Sequence, residues 1–171
     1  MTLHAVSPLS RLHLDIDRRV DAIRAAHSDW PCGKGCDDCC RRLAGVPRLT
    51  AGEWALLRSG LEALDASRLR EIRQRIAALG DAPAAPLTCP MLDRESGACP
   101  VYAQRPVACR TYGFYVQRDL GLYCSDIEAS AARGVLADVI WGNQDAIDRA
   151  LAVDGEARSL SEWFAHWHGS P

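Results

Sequence analysis

Eight cysteines carry the chemistry that this sequence can do. Cys32, Cys36, Cys39 and Cys40 form a first block, C-x3-C-x2-C-C, and Cys89, Cys99, Cys109 and Cys124 form a second, C-x9-C-x9-C-x14-C. Thiolates a few residues apart chelate well, because closing a short loop costs little entropy. Forty-eight residues separate the blocks, so a site built from both would clip a long loop and couple metal binding to folding. All-sulfur sites select zinc, iron–sulfur clusters or Cu(I) over magnesium or calcium. A closed four-cysteine zinc site is structural, whereas an iron–sulfur cluster adds redox chemistry, and the spacing leaves both open. Four thiolates around zinc or a 2+ cluster leave a charge near -2, which Lys34, Arg41, Arg42, Arg105 and Arg110 are close enough in sequence to offset.

The adjacent pair Cys39-Cys40 bears on the number of centres. In an extended segment neighbouring side chains point to opposite faces, which favours two neighbouring centres or one multinuclear centre. Eight thiolates fill two four-coordinate sites, or supply one and leave four over. Cys124 stands apart and is the cysteine best suited to a plain core role. Disulfides are the competing use, and they need an oxidising compartment. The start of the chain has no basic segment followed by an apolar run, and no apolar stretch approaches the ~20 residues of a membrane span. The chain therefore reads as cytoplasmic, with no membrane partner. A net charge of -2 and a pI of about 6.2 argue against nucleic acid as a partner. A metal-free thiol oxidoreductase is a further reading, resting on Cys36-Asp37-Asp38-Cys39, but two carboxylates between the thiols should raise their pKa values.

Helices must position these thiols. Leu12, Ile16, Val20 and Ile23 recur at helical spacing and predict a helix over 10–29, with Ser10 as N-cap and Trp30-Pro31 as its stop. Thr50 and Glu53 form a capping box that opens a helix through Trp54, Leu57 and Leu61. Leu69, Ile72, Ile76 and Leu79 predict another over about 67–79, closed by Gly80, before the connector Asp81 to Pro86. Asp93 to Gly97 reads as a turn joining two short strands. Ser125 is expected to cap a helical region reaching about Ala152, with Val135, Val139, Ile140, Ile147 and Leu151 on its buried face and Gly134 and Gly142 as its weak points. A last short helix starts near Ser159, where S-x-x-E recurs.

The pattern C-x3-C-x2-C-C followed by CPMLDRESGACPVYAQRPVACRTYGFY resembles the YkgJ-type cysteine-cluster proteins. The matching residues are the first four cysteines; Cys89-Pro90 with Leu92; Gly97 and Cys99; Val101-Tyr102; Arg105-Pro106; and Cys109-Arg110 with Tyr112, while Cys124 falls where a further cysteine is common. The resemblance spans residues 32 to 124. It implies a bacterial protein that chelates zinc or iron, sometimes as an iron–sulfur cluster. It implies no reaction, although a related cysteine region inside flagellin lysine methylases suggests methyl transfer. Arg105 and Arg110 are read either as donors to the thiolate site or as surface arginines paired with Asp93, Glu95 or Asp119.

Other residues add little. His166 and His168 do not share a helical face, and His4, His13 and His27 are read as isolated on helix surfaces. Trp54, Trp141 and Trp163 fall on apolar helical faces and are read as core, and Asp15-Asp17 and Asp145-Asp148 as solvated faces. No phosphate loop, Rossmann fingerprint or zinc-protease motif occurs. The expected fold is mainly α, one small helical domain over 1–171. A turn-rich cysteine core at 32–124 is flanked by a helix at 10–29 and helices at 125–168, with at most a short β-hairpin. The expected function is chelation of zinc or iron by the eight cysteines. The alternatives are an accessory protein for iron–sulfur redox or methyl transfer, with an unidentified protein partner, and the thiol oxidoreductase.

Overall fold

Side-chain caps start most of the helices. The computed structural model describes residues 7–80 and 84–167, so His4, His168 and part of the 81–86 connector lie outside the described residues. The chain is mainly α with short β elements, as the helical periodicities predict. Two compact units share it: the first is Met1–Cys32 with Val107–Gly155, the second Gly33–Pro106 with Glu156–Pro171.

In the first unit, α1 (Pro8–Ala26) is capped by Ser7, whose hydroxyl accepts from the Ser10 N–H at 3.1 Å. The cap is Ser7 and not Ser10 because Pro8, with its preset φ and no N–H, already suits the first helical position. The helix ends at Ala26, and a turn from His27 to Trp30 precedes Pro31. Ile16, Val20 and Ile23 of α1 pack with Val107, Phe114, Tyr115 and Ile147. Val107 opens α5 (Val107–Thr111), which lies against α1. A hairpin follows, β2 (Tyr115–Gln117) with β3 (Leu120–Leu122), and β4 (Gly142–Asn143) pairs parallel with β2.

The expected helix over 125–152 is broken. It resolves into α6 (Ser125–Ala132), an irregular stretch, β4, and α7 (Gln144–Leu151). Gly134 at φ +74° ends the first piece, and the Asn143 side chain starts the second by accepting from the Ala146 N–H at 3.1 Å. Val135 and Ile140, expected to be buried, are 60% and 71% exposed, while Ile147 is in the core. Trp141 lies outside any helix, against Trp30 and Tyr123. His13 is the reverse case: expected on the surface, it is only 8% exposed. It stands three residues before Ile16, on the same apolar stripe.

In the second unit, α3 (Ala51–Glu62) has the expected capping box, and buried Glu53 accepts from the Thr50 N–H at 2.9 Å. Asp65 caps α4 (Ala66–Ala77), accepting from the Arg68 N–H at 2.8 Å, one residue earlier than the periodicity alone suggests. The Ser159 capping box opens α8 (Leu160–Ala165). Two short strands, β1 (Arg48–Leu49) and β5 (Arg158–Ser159), pair antiparallel in front of α3 and α8. The core gathers Leu49, Trp54, Leu57, Leu61, Ile72, Ile76, Met91, Val101, Leu160, Phe164 and Trp167. Trp54 and Trp163 stack at 5.8 Å. The turn at 93–97 forms, with the Asp93 N–H on the Ala98 carbonyl at 3.0 Å, but its flanks are not strands, because Pro90 and Pro100 cannot donate to a ladder. The hairpin lies instead at 115–122. Among the described residues no helix is long and apolar enough to cross a membrane.

His13 makes the first unit sensitive to acid. Burial, then the nearby Arg110 guanidinium, lower its pKa to about 4, with Asp17 opposing them. The unfolded imidazole takes up its proton near 6.5 and the folded one only near 4. Its contribution is therefore complete above pH 6.5 and is lost as pH falls through that window, by about 2–3 kcal/mol. Denaturant unfolding at pH 7 and pH 4.5 should show this loss, and NMR should find the His13 ring titrating near 4. A His13 midpoint near 6.5 would contradict the assignment.

Candidate metal centre

Cys39 and Cys40 sit in one turn of helix, α2 (Asp38–Arg41). The pair is helical and not extended, so the argument that its side chains must point to opposite faces does not hold. The Cys39 thiol donates to the Cys40 sulfur, and the Cys40 thiol donates to the Cys89 sulfur. Cys99 is close enough for its charge to act on Cys40. One side of the second unit thus gathers two cysteines from each block.

A backbone connection makes this possible. The Cys89 N–H donates to the Cys40 carbonyl at 2.6 Å, and Leu43 and Leu87 exchange two antiparallel hydrogen bonds at 2.9 Å. The chain between them is occupied by β1, α3 and α4, so the core of the second unit holds the two blocks in register. Cys89 and Cys99 also pack against that core.

Without metal, Cys39, Cys40 and Cys99 hold their protons more tightly than ordinary thiols. The hydrogen bond to Cys40, then burial, raise the Cys39 pKa far above that of an ordinary thiol, against the opposing charge of Arg105. At Cys40 the hydrogen bond from Cys39 pulls downward. The bond to Cys89, burial and the charges of Cys89 and Cys99 outweigh it, and the value is pushed up to about 12. Burial raises Cys99, with the Val101 N–H and Arg105 opposing. Asp37 and Asp38, expected to act on the thiols, face arginines instead: Asp37 accepts from Arg41 Nε at 2.7 Å, and Asp38 lies 3.5 Å from Arg42.

Arg105 acts on Cys39 and Cys99 in this cluster, and Arg41 on Cys40. Arg105 Nε donates to the Tyr102 carbonyl at 3.0 Å, and its guanidinium lies over the Tyr102 ring at 3.4 Å. Lys34 Nζ lies 5.9 Å from the same ring. Cys36 is exposed in a turn closed by its own N–H on the Gly33 carbonyl. Gly97, at φ +65°, brings the 93–97 turn against this loop; a Cβ there would stand 3.0 Å from the Gly35 carbonyl oxygen.

Cys32, Cys109 and Cys124 belong to the first unit. The Cys32 thiol donates to the Tyr112 carbonyl at 3.7 Å, and Arg24 donates to the Cys32 carbonyl at 3.0 Å. Cys109 is carried by α5, which is tied to α1 by Arg110 and Asp17 at 3.0 Å. Arg110 thus pairs with Asp17, an acid not proposed for it from sequence. Asp17, read as part of a solvated face, is its anchor. Cys124 is the N-cap residue of α6, two positions beyond the β3 strand end, which the Gly113 N–H holds through the Leu122 carbonyl at 2.6 Å.

No disulfide joins any of the eight cysteines. Among the described residues, no group of three or more His, Cys, Asp or Glu side chains is drawn together tightly enough to hold a metal ion as it stands. The donor set in the second unit still has the chemistry of a soft-metal site: sulfurs in mutual contact, half-buried, with a guanidinium beside them.

Comparison with known families gives one match. The family model CxxCxxCC, described as "Putative zinc- or iron-chelating domain", covers residues 31–130, although three residues and not two separate Cys32 from Cys36 here. No curated protein and no solved structure matches the chain.

Gly113 tests the packing around Cys32. It sits at φ +91°, and a Cβ there would stand 2.8 Å from the Cys32 sulfur. Gly113→Ala should cost roughly 2–4 kcal/mol, from backbone strain plus overpacking. Gly80→Ala, at φ +67° in open space, should cost only about 1 kcal/mol. Equal losses in urea unfolding would show that Cys32 does not crowd Gly113.

Proposed function

Because the chain belongs to the CxxCxxCC family, we propose that it is a metal-binding protein that chelates zinc or iron through clustered cysteine thiolates. The observation that carries this reading is the run of hydrogen-bonded thiols Cys39, Cys40 and Cys89 with Cys99 beside it and Arg105 opposite. The proposed ligands at its centre are Cys39, Cys40, Cys89 and Cys99. Cys36 in the second unit, and Cys32, Cys109 and Cys124 in the first, are the further proposed ligands.

Binding here exchanges protons for metal. Cys39, Cys40 and Cys99 hold their protons more tightly than ordinary thiols, and coordination must displace those protons. Arg105 offsets part of the resulting negative charge, and Tyr102 holds its guanidinium in place. Zinc bound by four thiolates serves a structural role, and an iron–sulfur cluster in the same sulfur set supplies electron transfer. Thiolate chelation needs reduced cysteines, so the proposal carries a reducing, cytoplasmic setting with it.

Anaerobic purification followed by metal analysis and an absorption spectrum tests this directly. Stoichiometric zinc without colour supports the zinc form, and a brown protein with acid-labile sulfide supports the cluster. Zinc titration into metal-free protein in weak buffer at pH 7 should release about four protons per ion bound by four thiols, with affinity falling as pH falls. Cys40→Ser and Cys99→Ser should each lose metal and lower the melting temperature of the loaded protein. A protein that neither carries nor takes up zinc or iron would sink the proposal.

A further inference from the structure

The thiol contact between Cys40 and Cys89 has a use beyond chelation. The two residues are joined by a backbone hydrogen bond of 2.6 Å, flanked by the paired bonds of Leu43 and Leu87. A single N–H···O=C bond of that length keeps the two Cα atoms within about 6.5 Å of each other, inside the span that a disulfide needs. The two side chains also lie within interaction range of each other. We propose that Cys40 and Cys89 are a reversible disulfide site, closed by a peroxide and opened by a dithiol.

The two nearest sulfurs in sequence, Cys39 and Cys36, are poorly placed for the same reaction. Cys39 also touches Cys40, but both lie in α2. Adjacent Cα atoms are about 3.8 Å apart, below the lower limit for an unstrained bridge. Cys36 is exposed in a separate turn. Cys40 and Cys89 are also the pair whose backbones are joined directly by a hydrogen bond.

The chemistry balances with hydrogen peroxide as the oxidant. The Cys89 sulfur attacks one peroxide oxygen. The O–O bond breaks, Cys89 becomes a sulfenic acid, and the second oxygen leaves as water with the thiol proton. The Cys40 sulfur then displaces the sulfenic oxygen, which leaves as a second water. Two thiols lose two electrons and peroxide gains them. The bridge would close a loop containing β1, α3 and α4, so the oxidised second unit should melt at a higher temperature than the reduced metal-free form.

The pairing is a property of the thiols and stands whether or not they hold metal. Only its coupling to metal release rests on the function proposed above. The test uses the full chain, reduced, stripped by chelator and given one equivalent of hydrogen peroxide. Remaining thiols are alkylated, and peptides are mapped without reduction. The expected main product joins Cys40 to Cys89, disappears on treatment with a dithiol, and still forms in Cys39→Ser. Oxidation spread over other pairs, Cys36 with Cys39 above all, would overturn the proposal. So would sulfinic acid at Cys40 or Cys89 without a cross-link, or an unchanged yield of bridged Cys40 in Cys89→Ser. The wild-type map decides the matter even where a variant fails to fold. In zinc-loaded protein, metal should leave in step with the same cross-link. If the protein takes up no metal, that arm fails alone and the metal-free map still gives the answer.

Discussion

The contact between Cys40 and Cys89 holds the second unit together as a functional object. Forty-eight residues lie between these positions, and bringing the ends of such a segment together costs several kcal/mol of chain entropy. One backbone hydrogen bond returns only about 1 kcal/mol. The closure is sustained by what the intervening chain does: α3 and α4 fold onto the Trp54, Leu61 and Ile72 core, and α8 packs onto the same core from beyond it. The cysteines are thus delivered to one another by a hydrophobic assembly that contains no chemistry itself. In return, any bond across the sulfurs, to a metal or to each other, stabilises that assembly.

Charge is arranged around the sulfurs with the same economy. The carboxylates nearest the first block are matched by arginines one helical turn away, and one arginine, Arg105, is kept for the thiols by its seat on Tyr102. A bare tetrathiolate would be strongly anionic in a half-buried place. Protonated thiols that hydrogen-bond in series avoid that charge until a cation arrives. In the first unit Arg110 fixes α5 on α1 through Asp17.

Much of this was legible in the sequence where the cause is local. The boxes at Thr50–Glu53 and Ser159–Glu162 involve four residues each, and both form. The stripe Ile16, Val20, Ile23 places α1, and extending it back by three residues would have found His13. Legibility fails where distant partners decide. Val135 and Ile140 have helical spacing, yet Gly134 in the left-handed region and the pairing of Gly142 with Tyr115 break the segment they would have lined. The bridge between Leu43 and Leu87 is a single pair of residues in irregular chain, and no local pattern announces it. The sequence suggests that the two cysteine blocks meet. That Cys39 and Cys40 meet Cys89 from one helical turn depends on that bridge.

Lys34, whose ammonium approaches Tyr102, is the one lysine among twenty basic side chains. An endoprotease restricted to lysine therefore has a single bond to cut, immediately after it. The cut separates Cys32 from the other seven cysteines and leaves the Cys40–Cys89 segment intact. A covalent or metal-held tie between Cys32 and the remainder is then readable as two fragments that travel together on a gel, and its loss as two that part.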